Sequence, residues 1–342
     1  MIIVTGGAGF IGSNLVHELN ARGHSDILVV DNLSTDLTPA MQQIHAHPEL
    51  KPQNLHGAKY SDYLDKKEFR AALAAGHFAN TKIRAILHQG ACSNTLEDHR
   101  AYMMDNNFAY TKELLHFAVD RAIPFVYAST AAVYGLSEHF SPEPANEHPL
   151  NVYGQSKLDF DNYLRPLLPE IKSTVVGLRY FNVYGPREQH KGRMASVIHH
   201  FTRQLQDTGV IRMFEGSGGY GPGEQRRDFV YVRDLSRMNL FFAGLSKEGA
   251  TSTEAGKPAS PTYKGIVNAG TGRASTFKSV AEALIEVHKI PGRIDYIPFP
   301  ADLAGRYQHY TQADIASLRA LGYTAPFTDL LPAIRETFAQ EN

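Results

Sequence analysis

Short apolar runs alternate with longer amphipathic stretches through the first half of the chain. The apolar runs have the length of buried strands, and the stretches between and after them have helical spacing. Alternation of strands and helices predicts a parallel sheet with helices on both of its faces. The predicted strands are 2–6, 26–32, 83–91, 123–130 and 173–181, and the predicted helices are 10–23, 98–121 and 151–168.

The pattern is less regular after residue 182. Segment 246–262, "SKEGATSTEAGKPASPT", is small, polar and interrupted by proline, which predicts a flexible surface loop. We therefore expect a large first domain over 1–181 and a smaller, mainly C-terminal, mixed α/β domain over 182–342. Segments near 228–245 and 265–290 are expected to return to the first domain. Helices are predicted at 195–206, 279–289 and 313–322, and short strands or loop edges at 213–217 and 227–235.

Composition narrows the class of protein. Of 342 residues, 43% are hydrophobic, enough for a sizeable core, and the net charge of -1 gives no basic excess for binding nucleic acid. The one cysteine, Cys92, excludes an intrachain disulfide and favours a reducing compartment. No signal peptide and no membrane-spanning apolar run is recognisable, and the histidines are too scattered for a metal site. We expect a cytoplasmic protein without metal or membrane partner.

The N-terminal segment "VTGGAGFIG" has a glycine motif at a strand-to-helix junction. Gly7, Gly9 and Gly12 satisfy G-x-G-x-x-G, and Gly6 with Gly9 and Gly12 satisfies a looser form. Glycines allow a tight turn and close approach to a pyrophosphate, whose charge the helix N-terminus stabilises. A glycine-rich turn without a ligand is the alternative, but strand, helix and a following acid, Asp31, are all present. The sequence therefore predicts an α/β protein with a Rossmann-type, doubly wound parallel sheet that binds a dinucleotide.

The choice between NAD and NADP depends on the end of the second predicted strand. Asp31 favours NAD, because a carboxylate holds the ribose hydroxyls and repels a 2′-phosphate. Asn32 beside it weakens that preference. Lys51 and Lys66 are candidates to bind a phosphate, and the alternative is that both are solvated surface lysines. Segment 88–93, "HQGACS", is expected to line the same crevice.

A tyrosine and a lysine in "YGQSK" are the strongest catalytic candidates. Tyr153 and Lys157 are four residues apart, so they share one face of a predicted helix. A lysine ammonium close to a tyrosine stabilises the phenolate and lowers the tyrosine's pKa from about 10. The tyrosine can then accept a proton from a substrate hydroxyl while hydride leaves the same carbon. Thr130, or its neighbour Ser129, is a candidate to hydrogen-bond the substrate oxygen.

Four segments, "TGGAGFIG", "YGQSK", "RYFNVYGPR" and "RDFVYVRDL", are similar to the extended short-chain dehydrogenase/reductases, the group of nucleotide-sugar epimerases and dehydratases. Within this group the chain most resembles the family of ADP-L-glycero-D-manno-heptose 6-epimerases. That resemblance rests on "HQGACSNT", "YMMDNN", "NVYGPREQHKGRMASV", "FEGS" and GRYQ-x-x-TQAD at 305–314. It covers nearly the whole chain.

The resemblance implies an isomerase with a definite chemistry. It implies transient oxidation at C6″ of an ADP-heptose by a tightly bound cofactor, reorientation of the ketone and re-reduction on the opposite face. NADP is implied in preference to NAD. A homo-oligomer, by resemblance a pentamer, and a role in supplying heptose for the lipopolysaccharide inner core are implied as well.

The resemblance also implies the residues of the site. The catalytic acid/base positions are Tyr153 and Lys191, two groups suited to opposite sides of a ketone, while Lys157 and Thr130 keep the catalytic roles given above. Without the family, Lys191 in its polar run would be taken for a solvated or phosphate-facing loop lysine. The matching cofactor-binding positions are Gly6, Gly7, Gly9, Phe10, Ile11, Gly12, Asp31, Asn32, Lys51, Lys66, Gln89, Gly90, Ala91, Cys92, Ser93, Asn106, Lys157 and Val183. The matching substrate-binding positions are Asn182, Arg193, His200, Phe214, Glu215, Gly216, Ser217, Arg227 and Tyr307.

Three features depart from the family pattern. Gln89 occupies a position where an acid is expected, and Arg193 one where a serine is expected. The loops at 33–50, 218–226 and 246–262 look longer than is typical. The first two departures are expected to affect how cofactor or substrate is bound. The longer loops are expected to change only the protein surface, unless the loop at 218–226 covers the pocket.

Two other functions remain open from the sequence. A UDP-hexose 4-epimerase or a nucleotide-sugar dehydratase would share the fold, although a dehydratase is expected to carry an acid pair where Ala131 and Ala132 follow Thr130. A non-catalytic dinucleotide sensor would keep the glycine motif but would not need Tyr153 and Lys157. The 4-epimerase leaves Lys191 without a role.

Overall fold

The computed structural model describes residues 1–33, 38–44, 46–246, 261–301, 305 and 307–341. The strands are β1 (Ile2–Thr5), β2 (Ile27–Asp31), β3 (Asp62–Asp65), β4 (Ala85–His88), β5 (Phe125–Thr130), β6 (Val175–Tyr180), β7 (Asn182–Tyr184), β8 (Val210–Phe214), β9 (Arg226–Arg227), β10 (Phe229–Tyr231), β11 (Lys264–Ala269), β12 (Ser275–Thr276) and β13 (Arg293–Ile297). The α-helices are α1 (Phe10–Ala21), α2 (Pro39–Gln43), α3 (Lys66–Ala74), α4 (Arg100–Met103), α5 (Tyr110–Asp120), α6 (Val152–Leu164), α7 (Val197–Thr208), α8 (Val232–Phe242), α9 (Phe277–His288), α10 (Ala316–Ala320) and α11 (Leu330–Glu341). A π-helical turn, Met104–Ala109, joins α4 to α5.

The main sheet has seven parallel strands in the order β11-β6-β5-β4-β1-β2-β3. The strand order reverses between β1 and β4, which creates a crevice at the carboxyl ends of these strands. Ligands of doubly wound sheets bind at such a switch point. The predicted fold class is confirmed.

Alternate residues of each strand bury against opposite faces of the sheet. Val4 and Val29 pack with α1 on one face, and Ile3 and Leu28 pack with α5 on the other. Both faces are therefore covered, which explains why the strands are continuous apolar runs rather than alternating ones.

A smaller region packs beside the carboxyl edge of the sheet. It contains α7, α9 and α11 and three strand pairs: β7 with β10, β8 with β13, and β9 with β12. Its apolar cluster includes Phe201, Leu205 and Leu284, and it also includes Phe10 from the start of α1. The cluster thus joins the glycine loop to the smaller region.

Several local predictions need correction. Segment 227–235 was expected to be strand or loop edge, but only its middle forms β10 and α8 begins at Val232. Segment 313–322 is helical only over Ala316–Ala320. Strand β8 ends at Phe214 instead of extending to residue 217. The elements that were not predicted are β3, β7, β11, β12, β13, α2, α3 and α11. Most of the loop 246–262 lies outside the described residues.

None of the described helices is long and apolar enough to cross a membrane.

Candidate active site

The glycine loop brings the start of α1 against the end of β1. Gly6 has φ +66°, and its carbonyl accepts a hydrogen bond from the Gly9 amide at 3.0 Å. A Cβ at Gly12 would lie 2.0 Å from the Gly6 carbonyl oxygen. Only glycine at position 12 allows this close approach of helix and turn.

The N-terminus of α1 fits the pyrophosphate of a dinucleotide. No side chain caps the helix at Gly9 among the described residues. The amides of Phe10 and Ile11 lie in the first turn, where the helix itself provides no acceptor. Donors of this kind at the positive end of a helix dipole bind phosphate oxygens, and glycines leave no side chains in the way.

We expect Gly12→Ala to lower the melting temperature and to release bound dinucleotide. The added methyl group must displace backbone, and overpacking of this kind costs about 1–3 kcal/mol. Thermal melts and the cofactor content after gel filtration measure both effects. Gly221→Ala is the matched control, because its Cβ would meet only Glu224 at an ordinary 3.6 Å. A Gly12→Ala protein that melts like the control and keeps its cofactor would contradict this account of the loop.

Asp31 ends β2 with its carboxylate directed at the glycine loop. Its Oδ2 accepts hydrogen bonds from the amides of Ala8 at 2.8 Å and Gly9 at 3.1 Å. Its Oδ1 lies 3.2 Å from Lys51 Nζ, which also donates to the Asn32 carbonyl at 3.1 Å. The carboxylate is thus largely engaged by the protein, and Lys51 partly neutralises it.

Lys66 lies apart from this pair. Its ammonium donates to the side-chain oxygen of Asn106 in the π-helical turn. Burial lowers the pKa of Lys66. Lys51 and Lys66, the two candidates to bind a phosphate, therefore have different partners. Neither is a fully solvated surface lysine.

The loop after β4 is tied to β1, to the π-helical turn and, through Asn107, to α6. The Gly90 amide donates to Thr5 Oγ1 at 3.2 Å. The Cys92 amide donates to Asn107 Oδ1 at 2.8 Å, and Asn107 Nδ2 donates to Ser156 Oγ at 2.9 Å. These bonds connect the dinucleotide crevice to the helix that carries Tyr153. Ala91 and Ser93 are exposed in the same loop.

Tyr153 and Lys157 lie in α6 against the end of β5. The Tyr153 hydroxyl interacts with the hydroxyl of Thr130, which in turn accepts a hydrogen bond from the Ala132 amide at 3.1 Å. Lys157 Nζ donates to the Ala128 carbonyl at 2.8 Å. The structure thus brings Tyr153 and Thr130 together, while Lys157 bonds the strand rather than the tyrosine. The expected hydrogen bond from Thr130 to a substrate oxygen stays a prediction.

The expected effect on the tyrosine's acidity is not found. Burial raises the pKa of Tyr153, and the contact with Thr130 lowers it by less. Burial lowers the pKa of Lys157 to about 8, although Asp161 one turn further along α6 opposes this. Lys157 was predicted to lower the tyrosine's pKa, whereas burial is the dominant effect on the pKa of both groups.

We expect kcat/KM for the reaction catalysed at Tyr153 to fall as the pH rises through about 8, the pKa of Lys157. The lysine is protonated below that pH and neutral above it, so its bond to the Ala128 carbonyl, which holds α6 against β5, is weaker on the alkaline side. A guanidinium stays charged over this range. Any activity left in Lys157→Arg should therefore lack the alkaline decline. Initial rates across the pH range test this, and a profile without decline in the unmodified protein would contradict it.

Lys191 lies in the loop between β7 and α7, on the other side of the crevice. Its Nζ is 5.0 Å from the centre of the Phe10 ring, at the start of α1. Burial lowers the pKa of Lys191, and Glu188 opposes this. Strands β1 and β5 flank β4, so their carboxyl ends are two strand spacings, about 10 Å, apart. Lys191 therefore approaches the crevice from the β1 side and Tyr153 from the β5 side.

Arg227 is buried in the smaller region, 7% exposed, without a carboxylate partner among the described residues. Its guanidinium lies 4.9 Å from the centre of the Tyr307 ring. Burial lowers its pKa. Phe214 lies edge-on to Tyr307 with ring centres 6.2 Å apart, so aromatic groups surround the cation.

The remaining expected substrate positions are spread around this cluster. Ser217 Oγ is 3.3 Å from His309 Nδ1, and a Cβ at Gly216 would lie 2.4 Å from the Tyr220 carbonyl oxygen. Segment 214–217 therefore folds closely onto the loop at 218–226. Asn182, Arg193 and Glu215 are exposed, Val183 pairs with Val230, and His200 Nε2 lies 3.3 Å from the Arg193 carbonyl.

Comparison with known proteins identifies the family. Residues 2–254 match the NAD dependent epimerase/dehydratase family. The chain belongs to this family. It is 51% identical over 335 residues to an ADP-L-glycero-D-manno-heptose-6-epimerase of Alkalilimnicola ehrlichii, with 98% of this chain and 95% of that relative covered. The predicted resemblance and the assignment as an isomerase are confirmed.

Solved structures of epimerases share the architecture of this family member. The ADP-L-glycero-D-manno-heptose-6-epimerase of Helicobacter pylori superposes with a TM-score of 0.79 at 28% identity, covering 99% of this chain and 95% of that one. The UDP-glucose 4-epimerase of Thermotoga maritima, solved with UDP-glucose, gives 0.73 at 26% identity and covers 99% of each chain.

Gln89, where the epimerase family pattern led us to expect an acid, belongs to a neutral hydrogen-bond network. Its Oε1 accepts from the Tyr180 hydroxyl at 2.8 Å, and its Nε2 donates to Asn239 Oδ1 at 3.0 Å. An amide satisfies one donor and one acceptor here, which a carboxylate does not. The sequence could not reveal this, because the three residues meet only in the folded chain.

Proposed function

We propose that this enzyme interconverts ADP-D-glycero-β-D-manno-heptose and ADP-L-glycero-β-D-manno-heptose by inversion at C6″. The observation that carries the proposal is the 51% identity, over nearly the full length of both chains, to an epimerase of that name. The positions of Tyr153 and Lys191 on either side of the crevice support it, because the C6″ oxygen points in a new direction once the ketone has turned, so its proton has to be exchanged at two places.

The environment of Arg227 supports the proposal that the enzyme binds its substrate mainly through a nucleoside diphosphate. A buried guanidinium without an acid partner is costly, and the oxygens of a diphosphate would compensate it through paired hydrogen bonds. Tyr307 and Phe214 beside it offer apolar surface for a nucleoside or sugar. We propose that these residues anchor the ADP while the heptose reorients.

Tyr153 and Lys191 would exchange protons with the C6″ oxygen. In one orientation of the exocyclic carbon, one of these two groups accepts the hydroxyl proton as hydride leaves C6″. After the ketone has turned, the other group donates a proton to the oxygen as hydride returns, and exchange with solvent restores both groups. Thr130 holds the tyrosine hydroxyl in place, and Lys157 fixes α6 to β5 through the Ala128 carbonyl. Each orientation of the C6″ oxygen then has its own acid/base group.

The family is nicotinamide-dependent, and we propose NADP as the form used. A bound nicotinamide would supply a reversible hydride acceptor for C6″, so that no net oxidation would result. The amides at the start of α1 would hold the pyrophosphate. Asp31 is engaged by the glycine loop and by Lys51, which weakens its preference for a ribose diol and provides a cation for a 2′-phosphate.

Wider aspects of the function follow from the family resemblance. We propose that the product serves the lipopolysaccharide inner core, that the enzyme works in the cytoplasm and that it forms a homo-oligomer, by resemblance a pentamer. The single cysteine fits a reducing compartment.

The test is turnover of the proposed substrate by the protein as isolated. Purified protein is incubated with ADP-D-glycero-D-manno-heptose without added cofactor, and proton NMR follows the configuration at C6″. Formation of the L-glycero epimer is expected, together with NADP in the supernatant after denaturation. No epimer, with nicotinamide still released, would overturn the heptose assignment. The next substrate is then UDP-glucose, which the structural likeness to a UDP-glucose 4-epimerase makes the second candidate.

A further inference from the structure

A single buried carboxylate closes the loop that carries Lys191. Glu188 is 1% exposed. Its Oε1 accepts from the Gly185 amide at 3.1 Å and the Ser196 hydroxyl at 2.8 Å, and its Oε2 accepts from the Ser196 amide at 2.6 Å. Gly185 and Ser196 are the two ends of the segment 185–196, which we call the Lys191 loop. One side chain therefore bridges both ends of this loop.

The backbone of the Lys191 loop is bent in ways that need support. Arg187 has φ +77° and Gly192 has φ +53° with ψ -132°. A positive φ is unfavourable for a residue with a side chain, so the arginine conformation is held by its surroundings. The Lys191 amide also donates to the Glu188 carbonyl at 2.9 Å, which places the lysine directly after the turn that Glu188 begins.

We propose that Glu188 is a positioning residue that fixes the Lys191 loop and supplies the negative charge facing the Lys191 ammonium. The inference extends the proposed function, since it rests on the role given there to Lys191. Glu188 itself touches no reacting atom in this scheme. It acts through the lysine, whose place at Phe10 depends on the closed loop.

Burial raises the pKa of the Glu188 carboxyl, while Lys191 and the hydrogen bonds from Ser196 and Gly185 oppose this and favour the carboxylate. Among the described residues, His190 in the loop and His199 in α7 also interact with the lysine. Burial lowers the pKa of His190 to about 3 and that of His199 to about 4, so both are neutral at physiological pH. The Glu188 carboxylate raises the pKa of Lys191 against the effect of burial.

The direct test is amine labelling of Lys191 without any substrate. The protein is treated with an acylating reagent across a pH range, and peptide mass spectrometry gives the labelling rate of each lysine. In Glu188→Gln the carboxylate is lost, so the pKa of Lys191 falls. At any pH below the native pKa of Lys191, a larger fraction of this lysine is then the reactive free amine. Labelling of Lys191 should become several-fold faster, with its midpoint at lower pH. Exposed Lys172 is the internal control and should not change.

An unchanged rate and midpoint for Lys191 in Glu188→Gln would overturn the proposal. Because no substrate is used, this result is independent of whether the heptose assignment holds. If Glu188→Gln does not fold, Ser196→Ala removes one arm of the bridge and should also speed labelling. Thr276→Ala is its matched control: Ser196 caps α7 and Thr276 caps α9, but Thr276 accepts from the Ser279 amide and lies outside the Lys191 loop.

Turnover gives a second readout that distinguishes positioning from general stability. We expect Glu188→Gln to lower kcat about tenfold to a hundredfold, as misplacement of a catalytic group does. In a Lys191→Met background the same substitution should cost nothing further, because the lysine it serves is absent. An equal loss in both backgrounds would mean that Glu188 acts on the fold as a whole and would contradict the proposal.

Discussion

Tyr153→Phe should lower kcat by about 10²–10⁴ while leaving the cofactor bound, because it removes one acid/base group without altering the shape of the pocket. Only the hydroxyl is deleted, and its described partner is Thr130. The contacts of the glycine loop and Asp31 are untouched, so binding of the dinucleotide should persist. Turnover of the ADP-heptose by NMR and cofactor content after denaturation measure the two quantities separately.

Tyr163→Phe is the control for this substitution. Tyr163 lies in the same helix, and its exposed hydroxyl is 2.7 Å from His116 Nε2, away from the crevice. The variant removes a comparable hydrogen bond and should retain native kcat. Near-native turnover in Tyr153→Phe, or a comparable loss in the control, would contradict the role given to Tyr153.

Lys191→Met should lower epimerisation by about 10²–10³, again with cofactor retained. Methionine keeps the length of the apolar stem over Phe10 but lacks the ammonium. Since Tyr153 still serves one orientation, the variant should form the C6″ ketone from one epimer and not from the other. Rapid quench and mass spectrometry of the sugar detect this asymmetry.

Lys172→Met, at an exposed position outside the crevice, controls for loss of a lysine charge. It should turn over both epimers at the native rate. If Lys191→Met also processes both epimers normally, the second acid/base group lies elsewhere and the account of a two-sided site is wrong.

The sequence was most informative where local pattern and tertiary environment agree. Strands β1, β4 and β5 are buried on both faces, so their apolar runs mark them clearly. The half-exposed edge strand β3 has no such run, and it was missed. In "FVYVRDL" the β-branched and aromatic residues favoured a strand, whereas packing of α8 against α1 makes Val232 the start of a helix.

For the site, the sequence indicated which residues share an element, but it could not show their electrostatic environment. The spacing of Tyr153 and Lys157 correctly indicated a shared helix. It could not show that Lys157 reaches the Ala128 carbonyl, or that burial raises the pKa of Tyr153. The role of Glu188 could not be predicted from the sequence, because its partners at the two ends of the Lys191 loop become neighbours only in the folded chain.

Isotope retention at C6″ tests the central claim most directly. The enzyme as isolated is allowed to convert ADP-D-glycero-D-manno-heptose in deuterium oxide, and NMR measures deuterium at C6″ of the product. Transient oxidation returns the original hydride, so the product should keep protium at that carbon although Tyr153 and Lys191 exchange with solvent. Deuterium at C6″ would mean inversion by removing and replacing a proton on carbon, which would contradict the proposed mechanism.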